Sequence, residues 1–169
     1  MSTTAPPLTA SEADRLAERF ESRTAEHVLA WAAERFGERA VLTCSWQKQS
    51  SVLVHMVSQV APLRLVLDDS DAWITGIRRE QSTTRESARK IELDERRGVV
   101  KIQPLADWTS RDVWRYIWRH GIPYNLLHDH GYPSIGCIPC TTPVDGSVPD
   151  ERAGRWRGTG KVECGLHGN

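Results

Sequence analysis

The sequence predicts an α/β fold, on three observations. Short apolar runs at residues 40–44, 72–76 and 99–103 read as buried strands. Stretches before, between and after them carry apolar residues at helical spacing. The composition is globular: 39% of the 169 residues are hydrophobic and 26% charged, enough for one domain or a large domain with a short appendage. Lys plus Arg and Asp plus Glu both number 22, so the formal charge is zero, which argues against nucleic acid or a membrane surface as a general partner. No apolar run reaches spanning length, and residues 1–9 are polar rather than a leader with a charged start and an apolar core. The expected location is cytoplasmic.

Ser11 is placed to cap a first helix whose face carries Ala13, Leu16, Ala17 and Phe20. Thr24 starts a second, with Val28, Trp31, Ala32 and Phe36 as its stripe and Gly37 as its stop. The strand at 40–44 breaks into Ser45-Trp46-Gln47-Lys48-Gln49-Ser50-Ser51 and then a helix through Val52, Leu53, Met56 and Val57. A strand, a hydroxyl-rich turn and a helix N-terminus suit an anion, because free N–H groups and the helix dipole converge there. A plain N-cap at Ser50 or Ser51 accounts for the same residues. The strand at 72–76 runs into Arg78, Arg79 and Arg85, whose guanidinium forks match phosphate or sulfonate oxygens, with a solvated charged loop as the alternative. Ligands of open α/β sheets sit at such strand ends. After the strand at 99–103, Thr109 and Asp112 resemble a capping box, opening a helix with Val113, Trp114, Ile117 and Trp118 as its buried stripe. Residues 121–169 are rich in Gly, Pro and His, which divides the chain into an α/β part, 1–120, and a C-terminal segment, 121–169.

Four cysteines, Cys44, Cys137, Cys140 and Cys164, do not make a disulfide framework in a chain of this kind. Cys137 and Cys140 form a C-x-x-C pair, which suits two thiolates on one metal or a redox dithiol. His128 and His130 lack the spacing of a zinc ribbon and read as loop residues.

Five stretches then fall in one order. They are Ser45 to Ser51; Asp71-Ala72-Trp73-Ile74-Thr75-Gly76-Ile77-Arg78-Arg79-Glu80-Gln81-Ser82 with Arg85; Tyr132-Pro133-Ser134-Ile135-Gly136-Cys137-Ile138-Pro139-Cys140-Thr141; Arg152 to Trp156; and Lys161-Val162-Glu163-Cys164-Gly165-Leu166-His167. Together they resemble the adenylyl-sulfate and phosphoadenylyl-sulfate reductases of sulfate assimilation. The resemblance implies an adenine-nucleotide alpha-hydrolase-like fold: a parallel sheet flanked by helices, with a modified pyrophosphate loop and an irregular C-terminal tail. It implies that Cys164 attacks the substrate's sulfate sulfur, and that thioredoxin or glutaredoxin releases sulfite from the resulting thiosulfonate. By the same resemblance Ser45, Gln47, Ser50 and Ser51 hold the phosphate region, and Arg78, Arg79 and Arg85 face the phosphosulfate or ribose. A thiolate nucleophile needs positive surroundings, which Lys161 and His167, close in sequence, and Arg152 and Arg155, from the preceding loop, are placed to supply. Cys137 and Cys140 would supply half of a [4Fe-4S] cluster, which favours adenylyl sulfate over the phosphorylated substrate.

The sequence departs from the family in one place. The family's adjacent Cys-Cys pair and its Leu-Asp-Thr-Gly strand are absent, and Val60-Ala61-Pro62-Leu63-Arg64 directly follows the helix after the loop. An internal deletion joined near Gln59 and Val60 accounts for this, and it removes a central strand and two cluster ligands. Two C-x-x-C pairs in a homo-oligomer sharing one cluster would restore the count. The rival functions are an inactive nucleotide- or metal-binding remnant and an ATP-using relative; Trp46 and Gln47 replace the glycines that the latter's loop needs.

Overall fold

The computed structural model describes residues 7–45, 47–60, 70–145, 150–159 and 161. Helix α1 spans Ala10–Glu21, and its cap is Thr9 rather than Ser11. Glu12 stands three residues after Thr9, and the two exchange side-chain and backbone hydrogen bonds in a full capping box, while Asp14, three residues after Ser11, pairs with Arg89 instead. Helix α2, Ala25–Phe36, starts at Thr24 and stops at Gly37, as expected. Trp31 is wedged between Phe20 and Phe36, with ring centroids 5.0 and 5.7 Å away.

Strand β1, Ala40–Leu42, leads to helix α3, Lys48–Ser58. Strand β2 is Ala72–Ile74, β3 is Ile91–Asp94 and β4 is Val99–Ile102. The sheet order is β1-β2-β4-β3. The β1–β2 and β2–β4 pairs are parallel, as the α/β reading requires, whereas β3 pairs with β4 antiparallel. The sheet is therefore mixed. β3 escapes the sequence reading because its acidic residues, Glu92 and Asp94, alternate with Ile91 and Leu93, the pattern of a half-covered edge strand rather than an apolar run. β1 and β2 pair directly. A bidentate ion pair from Arg39 to Asp71 joins their N-terminal ends, with the Nη2–Oδ1 contact at 2.7 Å, and Trp73 Nε1, from the middle of β2, donates to Thr43 Oγ1 just after β1 at 2.8 Å.

Helix α4, Ser110–His120, has the Thr109–Asp112 capping box and a left-handed Gly121 as its stop. Val113 and Ile117 are buried, but Trp118 is 71% exposed, which corrects the stripe read from sequence. The core lies at the (i, i+4) pair Val113 and Ile117, so Trp118 is turned outward and stacks on half-buried Trp114 at 5.7 Å. The core itself comes from Val28, Leu29, Leu53, Met56, Ile91, Ile102 and Leu105, together with that pair, between helices and sheet. All α-helices and strands among the described residues precede Ile122; beyond it the chain runs through short 3-10 turns at Leu126–His130 and Ile138–Cys140. Among the described residues no helix is long and apolar enough to cross a membrane.

Candidate functional site

The loops after β1 and β2 open on the same side because the two strands are parallel neighbours. Between them lies a cavity of about 640 Å³, lined by Ser45, Gln47, Ser50, Arg85, Arg152, Arg155 and Trp156, with Cys44 and Cys137 also on its wall. Ser50 Oγ accepts from the Ser45 backbone N–H at 3.1 Å and lies 3.0 Å from Ser45 Oγ, which draws the loop shut over the first turn of α3. The N-cap of α3 is Gln47, not Ser50 or Ser51, and its side chain makes no capping bond. Gln47 Oε1 instead accepts from Ser134 Oγ at 3.4 Å. Ser51 is half-buried in that turn and does not line the cavity.

The missing cap comes from far along the chain. His128 Nε2 accepts the Lys48 backbone N–H at 3.2 Å, and its Nδ1 lies 2.7 Å from the Tyr132 carbonyl. Those two partners fix a neutral ring with the proton on Nδ1. Burial, opposed by the Tyr132 carbonyl, holds the imidazole below its ordinary pKa. His128 is therefore a helix cap rather than a passive loop residue.

The arginines divide. Arg78 is fully buried and its fork is used internally: Nη2 donates to Glu151 at 2.7 Å, and Nη1 donates to Glu80 and to the Trp108 carbonyl. Its guanidinium is thus committed to the protein and does not present itself to the cavity, a correction to the expectation that it faces the substrate. Arg79 reaches Glu21 and the Ala88 carbonyl and lines a second, adjoining cavity of about 770 Å³. Arg85 donates to Gln81 Oε1 at 2.6 Å at the edge of the first cavity. Arg152 and Arg155 border both cavities and flank the Trp156 ring, their guanidinium carbons 5.0 and 4.6 Å from its centroid. Lys161 lines the second cavity only. Cys164 and His167 lie outside the described residues.

Glu151, which the sequence reading does not single out, anchors the stretch that carries Arg152 and Arg155. It accepts from the buried Lys48 ammonium at 2.8 Å as well as from Arg78, so one carboxylate ties the Arg152–Trp156 stretch to both strand-end loops. Burial alone would raise its pKa, but the two cations outweigh burial and hold it below the usual carboxylate range. Burial lowers the Lys48 pKa, which Glu151 only partly offsets. No local signal marks Glu151, since its partners are 103 and 73 residues away.

The same stretch pairs with the C-x-x-C segment. Thr141 and Arg155 form an antiparallel bridge, and the Trp156 N–H donates to the Cys140 carbonyl at 2.9 Å. Trp156 pays for this with a positive φ of 50°, a strained position for a bulky residue. Gly154 is obligatory here, because a Cβ would stand 2.2 Å from the Thr142 carbonyl oxygen.

A [4Fe-4S] cluster takes four thiolates. Cys137 and Cys140 are two, and the chain has no adjacent Cys-Cys pair. Among the described residues no three His, Cys, Asp or Glu side chains converge to hold a metal. The residues present do not fit the cluster.

Comparison with known proteins identifies the family. The family model described as the phosphoadenosine phosphosulfate reductase domain matches residues 57–143. The chain is 52% identical over 109 residues to an adenosine 5'-phosphosulfate reductase of Salinibacter ruber, covering 64% of this chain and 43% of that protein. To the enzyme of the same name from Oceanobacillus iheyensis it is 51% identical over 122 residues, covering 72% of this chain and 50% of that one. The chain thus spans about half the length, or less, of these relatives. Among solved structures, phosphoadenylyl-sulfate reductase from Candida auris in a phosphate complex superposes with a TM-score of 0.69 at 21% identity, over 82% of this chain and all of that one. An FMN adenylyltransferase of Candida glabrata follows at 0.58 and 13%, over 96% and 79%. With the family model spanning more than half of its residues, the chain belongs to the phosphoadenosine phosphosulfate reductase domain family.

Proposed function

We propose that this chain reduces adenylyl sulfate to sulfite and AMP, with phosphoadenylyl sulfate as the less favoured substrate and a thioredoxin or glutaredoxin as the cytoplasmic reductant. The supporting observation is the cavity at the ends of β1 and β2, where the Ser45 and Ser50 hydroxyls meet Arg152 and Arg155. Those donors suit a phosphosulfate: hydroxyls and backbone N–H groups toward the phosphate, guanidinium forks toward the sulfate oxygens. Both guanidinium groups pack against the Trp156 ring, and Arg155 Nη1 is anchored on Ser134 Oγ and the Ile135 carbonyl.

In this reading the Cys164 thiolate attacks the sulfate sulfur. The sulfur–oxygen bond to the phosphate breaks, and its electron pair leaves on AMP, which Arg152 and Arg155 favour by neutralising the negative charge that develops. A reductant thiolate then attacks the cysteine sulfur and expels sulfite, and a second thiol closes a disulfide on the reductant. Lys161 and His167 would keep the surroundings of Cys164 positive. A second reading, an inactive nucleotide-binding remnant, is favoured by the half-length span and by the two missing cluster ligands.

Labelled adenylyl sulfate and phosphoadenylyl sulfate, each incubated with the chain, thioredoxin and a dithiol, separate the two readings. Sulfite that disappears in Cys164→Ser supports the reductase. AMP binding without sulfite supports the remnant, and sulfite that survives Cys164→Ser removes the nucleophile.

A further inference from the structure

The C-x-x-C turn lacks the partners for a cluster, yet its geometry is well defined. The Cys140 N–H donates to the Cys137 carbonyl at 2.9 Å, closing a 3-10 turn with Pro139 inside it. Residues i and i+3 of such a turn have Cα atoms under about 7 Å apart, within the span a disulfide bridges. The turn is held from outside as well. Thr141 Oγ1 donates to the Cys137 carbonyl at 3.0 Å, and the Trp156 N–H donates to the Cys140 carbonyl. Both thiols are free. They differ in access: Cys137 is exposed and on the cavity wall, whereas Cys140 is half-buried and does not line the cavity. Ile138, between them, is 93% exposed, so the turn is open on that side.

We propose that Cys137 and Cys140 form a redox dithiol that reduces an S–S bond presented at the anion cavity, with Cys137 attacking and Cys140 resolving. A thiosulfonate is the substrate class the surroundings suit, because Arg152 and Arg155 border the same cavity and its leaving group is an anion. The Cys137 thiolate bonds to the thiosulfonate's bridging sulfur, and the S–S bond breaks with its electron pair leaving on sulfite. The Cys140 thiolate then attacks Cys137 Sγ and expels the bridging sulfur as a thiolate. Each thiol gives up one proton; the dithiol is oxidised by two electrons to a disulfide, and the substrate S–S bond is reduced by the same two. An external dithiol regenerates the pair. The proposal does not depend on the reductase activity above.

The test uses the full chain, stripped of oxygen and of other reductants, with S-sulfocysteine as the probe. Sulfite release is followed with peptide mapping of the disulfides. The expected result is a burst of sulfite with a Cys137–Cys140 disulfide, present equally in Cys164→Ser, so that failure of the reductase reading leaves it intact. Cys140→Ser should stop at a mixed disulfide on Cys137, and Cys137→Ser should slow the burst at least about tenfold. A burst unchanged in Cys137→Ser, a disulfide linking Cys137 to Cys44 or Cys164, or chain isolated with about four iron per monomer on these thiols overturns it.

Discussion

The two parts of the molecule are held by different forces. Up to Ile122 the chain is organised by apolar burial, with the core cluster drawn entirely from Ala17 through Ile122. Beyond it Trp156 is the one large apolar side chain buried among the described residues. The C-terminal stretch is docked instead by polar contacts: Glu151 on Lys48 and Arg78, His128 on the α3 N-terminus, and Ser134 on Gln47. Apolar burial is insensitive to pH, while charge pairs and a neutral imidazole are not. The site is thus completed by the part of the chain whose attachment responds to conditions.

Substitutions in the two parts should separate accordingly. Leu53→Ala, at a fully buried core position, should cost about 4 kcal/mol and lower the whole unfolding transition in denaturant. Glu151→Gln should cost about 3 kcal/mol by leaving Lys48 and Arg78 buried without their carboxylate. Its signature differs: limited proteolysis should cut between residues 121 and 161 while the sheet part stays folded. If Glu151→Gln unfolds both parts together, the division is wrong.

Acidification should release the C-terminal part in two stages. His128 has a lowered pKa in the folded chain, so the unfolded imidazole protonates first. Stability is therefore complete above about pH 6.5 and is lost as pH falls from there through the folded value. The Glu151 contribution is present above the unfolded carboxylate value of about 4.3 and is lost as pH falls through its lower folded value. His128→Asn should abolish the first stage, about 1 kcal/mol, and leave the second. Proteolysis rates across pH 2–8 in both chains, with an acid-stable protease at the low end, measure this, and an unchanged first stage would exclude His128 as the responsive cap. The smallest effect should come from Trp118→Ser. Despite its size, the exposed ring should be worth within about 0.5 kcal/mol in thermal unfolding.

What could be read in the sequence was what is decided locally. The boundaries at Thr24, Gly37, Thr109 and Gly121 follow from capping chemistry within a few residues. The strand at β3 is masked by its alternating acids, and Thr9, whose box Glu12 completes, caps α1 in place of Ser11. In the site, a guanidinium at a strand end looks the same in sequence whether it faces a ligand or an internal carboxylate. Arg78 proved internal because Glu151 reaches it from 73 residues away. Gln47 ends up as the cap residue of α3 without capping it, because His128, 80 residues on from Lys48, takes that place. Pairings of this range carry no periodicity or spacing to detect.

Gly136 limits what evolution can do with Arg155. A methyl group at position 136 would stand 2.1 Å from the Arg155 Nη2 atom, so the guanidinium occupies the volume that any other side chain would need. The obstruction is the tip of a flexible side chain, which can swing aside without refolding. The arginine cannot stay where it is. Replacing Gly136 therefore moves the Arg155 guanidinium off its place on the cavity wall without touching residue 155 itself.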